Sequence, residues 1–191
     1  FAYALLVGAF PGVLLGFIFL SYLSSSILKI LIGGFALTYI AHQFFPSFIK
    51  YLAIGSQLFF IKSKKRNNYH LQNGFFFGFL SGFASFVSHA GGPPLAMYLL
   101  ANRLSKRGYQ ATTVLVFWWI NVFKILLYFY LGMINLDIIW LNLIFIPVAI
   151  LGVKIGEILN RSISSKLFFN ISYAFLAVAG IKLLFDGSYE L

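Results

Sequence analysis

Lys124 lies inside an apolar run, 111–131, that carries no other charge. An ionisable side chain at that depth in a hydrophobic helix faces a cavity or a partner. Thr113, Asn121, Lys124 and Tyr128 recur at helical spacing and so share a face. An ammonium flanked by an amide and two hydroxyls is a donor set suited to a small anion. The plainer role for Lys124 is a structural hydrogen bond to a carbonyl of a neighbouring helix.

A second signal is the run His89-Ala90-Gly91-Gly92-Pro93-Pro94. Two glycines and two prolines in succession stop a helix. The helix that restarts near Pro94 offers the positive end of its dipole and unpaired amides, a ready anion site. Pro93 and Pro94 have no N–H, so Leu95 and Ala96 are the expected amides, with Gly91 and Gly92 beside them. A simple tight turn is the alternative. His89 titrates near neutral pH and is the candidate for a coupling proton. No second His or carboxylate stands at ligand spacing to it, so no metal site is expected.

Other chemistries are poorly supported. There is no cysteine, which removes thiolate nucleophiles and disulfides. No phosphate-binding Gly-x-x-x-x-Gly-Lys-Ser/Thr loop is present. The acids are Asp137, Glu157, Asp186 and Glu190, none mid-run, so carboxylate acid–base catalysis is not expected. No cofactor is implied.

The elements that must hold these residues follow from composition. The chain is 61% hydrophobic and 9% charged. That is too little charge for a water-facing surface, for which about 25% is usual. The net charge of +10 sits between apolar runs, where it sets membrane orientation and does not signal nucleic acid. Five runs are long enough to span a bilayer as helices: 2–20, 27–45, 111–131, 139–157 and 166–185. The region 74–102 is predicted as two short helices, 74–89 and 94–102. Lys62, Lys64, Lys65 and Arg66 on one side and Arg103, Lys106 and Arg107 on the other put both flanking loops in the cytoplasm. Region 74–102 is then a re-entrant hairpin with its break at membrane depth. Asp137 is expected outside, Arg161 and Lys166 inside. The stretch 46–61 either extends the preceding helix or lies in the interface. Gly74, Gly78 and Gly82 read as a packing face, with Ser81, Ser85 and Ser88 as secondary cavity-lining groups. Lys154 with Glu157 reads as a helix-end pair. Lys29, Lys182 and Arg161 read as snorkelling anchors.

An offset of 140 aligns 1–45 with 141–185, and nine positions match, among them Gly12 with Gly152 and Gly16 with Gly156. Loop charges make the two halves run in opposite directions, the plan of many secondary transporters. The predicted fold is an all-α polytopic membrane protein of inverted repeats, each a re-entrant broken-helix hairpin plus three transmembrane helices. Residues 1–45 are the remainder of the N-terminal repeat, 46–73 a basic cytoplasmic linker, and 74–191 the C-terminal repeat. About 70 residues of the first unit are expected before Phe1.

The run from Ser81-Gly82-Phe83 through His89–Pro94, Met97-Tyr98-Leu99-Leu100 and Asn102-Arg103-Leu104 resembles the sulfite exporter TauE/SafE family. So do Thr112-Thr113, Asn121-Val122-Phe123-Lys124, Tyr128 and Leu131-Gly132, and the paired 11–16 and 151–156 segments. The resemblance implies a multi-pass carrier in the bacterial inner membrane for sulfite, an organosulfonate or a related anion, driven by an ion gradient, with protons the expected coupling ion. An anion channel is the alternative, and an intramembrane enzyme a weaker one. The partners expected are the small anion and the lipid bilayer; a homo-oligomer is left open.

Overall fold

The structure, a computed structural model, describes residues 2–20, 24–44, 68–134 and 136–190. The basic cluster at 62–66 and the stretch 46–61 lie outside these residues. Seven helices are present among the described residues: α1 (Ala2–Phe19), α2 (Ser25–Phe44), α3 (Asn68–Ser88), α4 (Gly92–Ala101), α5 (Lys106–Tyr130), α6 (Leu136–Ser162) and α7 (Ser165–Tyr189). No strand occurs among the described residues. Of the seven, α1, α2, α5, α6 and α7 are long and apolar enough to cross a membrane.

The five spans expected from the sequence are all present; α1 ends one residue short of the expected 2–20, and the other four are longer. Helix α5 starts five residues before the apolar run, because Ser105 caps it: the Ser105 hydroxyl accepts from the Gly108 amide at 3.2 Å. Ser164 starts α7 the same way, accepting from the Leu167 amide at 3.2 Å. Helix α3 begins at Asn68, six residues inside the segment read as linker.

The tightest packing is between α1 and α3. A Cβ added at Gly8, Gly12, Gly78 or Gly82 would lie 2.0–2.3 Å from a backbone oxygen of the opposite helix. Only glycine admits such an approach, and small residues are how helices associate where lipid removes the hydrophobic drive. Gly8 meets Phe75 and Gly12 meets Phe79, so the two helices run in the same direction. Helix α4 turns back along α3. Gly91 abuts Ser81 and Ser85, and the Tyr98 hydroxyl reaches Gly74. Helices α2 and α7 are antiparallel, with Gly33 against Gly180 and Gly187 against Ser26 and Ile30. The main core joins Leu5, Ala9 and Val13 of α1, Phe86 of α3, the α4 face Leu95 to Leu100, and Val116 and Ile120 of α5.

No described residue of α6 is buried. Its inner end is clamped by Lys106, whose ammonium donates to the carbonyls of Asn160 and Ile163, and by Asn160, whose amide donates to Gln110 at 2.5 Å. Two pairings differ from the sequence reading. Glu157 bonds Arg161, one turn on, at 2.6 Å, and not Lys154. Lys29 and Lys182 are not free anchors: they pair with Glu190 and Asp186.

Candidate functional site

Helix α3 ends because His89 takes a left-handed conformation, φ 54°. Histidine is among the few non-glycine residues enriched there. The last four carbonyls of a helix have no partner further along it. Ser85 supplies one of them, and the Lys124 ammonium donates to it at 2.6 Å. The same nitrogen stands 3.2 Å from His89 Nδ1 and 3.5 Å from the Ser85 hydroxyl. The Tyr128 ring lies 5.5 Å away, close enough for a cation–π contact. Phe86 packs on Tyr128 at 5.2 Å and closes the far side.

Lys124 is 5% exposed. Its Cα lies about 9 Å from the C-terminal end of α5, at 1.5 Å per residue, and so nearer that end than mid-span. Helical side chains lean toward the N-terminus, which carries the ammonium deeper than its Cα. A lysine has three donors. Ser85 and His89 take two, and the third has only the distant Ser85 hydroxyl. No carboxylate neutralises the charge among the described residues. Glu157, Asp186 and Glu190 are held by Arg161, Lys182 and Lys29. The Asp137 side chain lies outside the described residues.

The start of α4 is a different environment. Gly91 is its N-cap and is pressed onto α3, where an added Cβ would sit 2.6 Å from the Ser81 carbonyl oxygen. The Ser81 hydroxyl donates to the Gly91 carbonyl at 2.8 Å and fixes the turn. With the helix beginning at Gly92, the i→i−4 ladder takes the Leu95 amide to Gly91 and the Ala96 amide to Gly92. The expectation that Leu95 and Ala96 present free amides is corrected by this start, two residues before Pro94. Among Gly92, Pro93 and Pro94, only Gly92 has an N–H to offer.

Gly92, Leu95 and Ala96 instead line a cavity of about 300 Å³ with Tyr109, Thr113 and Phe117 of α5 and Ser172, Phe175 and Leu176 of α7. Its two aliphatic hydroxyls are occupied as donors. Thr113 donates to the Tyr109 carbonyl at 2.8 Å and Ser172 to the Phe168 carbonyl at 2.9 Å. What they turn to the cavity is lone pairs, which suit an anion badly.

The candidate residues therefore separate. Lys124, His89 and Tyr128 come together around Ser85. Gly92, Leu95, Ala96 and Thr113 gather on another cavity, which Lys124 does not line. Gly91 is sealed between the two, and Asn121 is exposed on the flank of α5. Two features carried no signal in the sequence. One is Ser85 as a carbonyl acceptor, since a backbone group has no residue signature. The other is a phenol cluster, in which Tyr39 and Tyr173 hydrogen-bond beside Tyr109, with Arg103 near enough to act on them. It joins three helices far apart in the chain. No group of three metal-ligating side chains occurs among the described residues.

The cluster is a buried cation at a helix break, with no carboxylate beside it among the described residues. The family model for the sulfite exporter TauE/SafE matches residues 1–183. The chain belongs to the TauE/SafE family. It is thus a multi-pass membrane protein of a family of sulfite exporters, a transport family and not an enzyme family. No curated protein matches the chain, and no solved structure does. The family match spans α1 through most of α7, so both the Lys124 cluster and the α4 cavity lie within it.

Proposed function

We propose that this TauE/SafE chain is a secondary transporter that moves a small sulfur oxyanion, sulfite or an organosulfonate, across the bacterial inner membrane with a proton as coupling ion. The observation that carries the reading is Lys124: buried, uncompensated by any described carboxylate, and with one N–H held only by the Ser85 hydroxyl at 3.5 Å. A buried charge is costly unless something pairs with it, and a substrate anion is the natural complement. Lys124 binds the anion and Tyr128 flanks it. His89, at hydrogen-bond distance from the ammonium and itself exposed, exchanges the proton.

The inverted plan has support in the α2–α7 pair. These antiparallel helices meet where Gly180 lies against Gly33, Ala36 and Leu37, and Ala36 and Leu176, which the offset of 140 pairs, are both buried in the same core cluster. The antiparallel α3 and α4 fit a re-entrant hairpin that enters and leaves on the cytoplasmic side.

The test is transport by the full-length protein in proteoliposomes. Sulfite and an organosulfonate should drive saturable, counter-transporting flux, and the sulfite flux should respond to a proton gradient, with sulfate and chloride as comparisons. Flux that neither saturates nor shows counterflow sinks the carrier reading in favour of a channel.

A further inference from the structure

The Lys124–His89 contact limits how much charge the site holds when empty. At 3.2 Å the two nitrogens share one hydrogen bond, so one of them must be an acceptor. A protonated imidazole has no acceptor, and neither has an ammonium. Whichever group holds the proton, the pair carries at most one positive charge. A second charge at that distance in a buried setting is opposed by strong repulsion.

No other titratable group compensates this. On α3, Ser85 and Ser88 flank His89 and neither titrates. Helix α1 meets this end of α3 with Gly16 and Phe17, and α4 begins with glycines and prolines. From α5 come Lys124 and the neutral Tyr128. Helices α2 and α7 approach through Leu28, Ile32 and Leu183. Their nearest charges, Lys29 with Glu190 and Lys182 with Asp186, are already matched pairs. The charge of the cluster is set by Lys124, His89 and the ligand alone, as far as the described residues go.

Resting on the anion-carrier reading, we infer that the Lys124–His89 pair takes a monoanion without a proton but takes a dianion together with one proton. A monoanion neutralises the single charge the pair already holds. A dianion leaves one negative charge over. It also offers the oxygens that let ammonium and imidazolium separate, each donating to the ligand and no longer facing the other. His89 then accepts a proton from solvent, which its exposed ring can reach. Charge balances in both cases: one positive with one negative, or two with two. The coupling stoichiometry is thus a property of the substrate's charge.

The experiment is calorimetric titration of the full-length protein in lipid nanodiscs near neutral pH. Sulfate and methanesulfonate are the probes, because each keeps a fixed charge in that range. Repeating each titration in two buffers of different ionisation enthalpy gives the protons bound per anion. Sulfate should take up as much as one proton and lose about tenfold in affinity per pH unit where His89 deprotonates, by linkage. Methanesulfonate should take up none and be insensitive to pH. The variant His89→Asn keeps a residue suited to the left-handed conformation. It should bind sulfate without proton uptake, so that sulfate and methanesulfonate no longer differ in the protons they bring. Sulfate binding with no proton, equal uptake with both anions, or uptake that persists in His89→Asn would overturn the inference while leaving the carrier reading intact. If neither anion binds, or if binding ignores Lys124→Gln, the carrier reading falls and this inference with it.

Discussion

The end of α3 and the start of α4 are separated by only three residues, His89, Ala90 and Gly91, yet they meet the protein in opposite ways. The end of α3 presents a bare carbonyl to a buried ammonium, with an imidazole at 3.2 Å beside it. The start of α4 presents prolines and a glycine to an apolar cavity whose aliphatic hydroxyls have already spent their protons. A broken helix in a membrane is commonly read as two half-dipoles available to ligands. Here the negative end is capped by a lysine, and the positive end has few donors to give. On the proposed reading the anion is held at the lysine and not at the helix N-terminus.

The largest expected effect comes from removing the charge. Lys124→Gln should weaken sulfite binding about ten- to hundredfold, the loss of a charge-assisted contact worth roughly 1.5–3 kcal/mol. Lys124→Arg should alter affinity without abolishing it, because the charge remains while its geometry changes. Equilibrium binding of the purified variants decides this. If Lys124→Gln binds like the wild type, Lys124 is only a cap for Ser85.

The next effect is on the seam between the two regions. Gly91→Ala puts a methyl 2.6 Å from the Ser81 carbonyl oxygen and 2.7 Å from the Ser85 Cβ. Backbone and a short side chain have little room to yield, so a loss of about 1–3 kcal/mol is expected. Gly92→Ala, with nothing within 4 Å of the added methyl, should be far milder. Thermal unfolding in detergent compares the two. Ser81→Ala should follow at about 1 kcal/mol, since it removes the buried donor to the Gly91 carbonyl. An equal response of Gly91→Ala and Gly92→Ala would mean that the turn is not sealed as described.

The split also shows what a sequence can carry. The helices were legible because length and hydropathy suffice for them, and Gly74, Gly78 and Gly82 were legible as packing residues because their spacing repeats. Lys124 stood out as a lone charge in an apolar run. What was not legible depended on residues that spacing does not connect. Asn121 shares a helical face with Lys124 on paper, yet it is turned out on the flank, because the buried stripe runs through Val116, Ile120 and Lys124. The amides of Leu95 and Ala96 looked free because the prolines were taken to start the helix. The glycines start it, and the ladder closes over both amides. The ion pairs of Lys29 and Lys182 hang on acids at the far end of the chain or one turn away, where charge counting gives no preference.

The smallest expected effect is the one that tests the comparison most directly. Thr113→Val and Ser172→Ala remove both aliphatic hydroxyls from the α4 cavity. Each hydroxyl donates to a carbonyl one turn back on its own helix. That carbonyl also serves the helical ladder, so it is not orphaned when the side chain goes. Each substitution should therefore leave stability within about 0.5 kcal/mol. The effect on sulfite affinity should be smaller than about twofold, since neither group has a proton to offer an anion and Lys124 does not line the cavity. The double variant is compared with Lys124→Gln in one binding assay. If it loses tenfold or more while Lys124→Gln loses the same, the hydroxyls and the ammonium act on one ligand. The cavity at α4 and the cluster at α3 would then be parts of a single site, joined in a conformation where the hydroxyls swing off their helices. If only Lys124→Gln responds, the anion is held at the end of α3, and the α4 cavity serves packing.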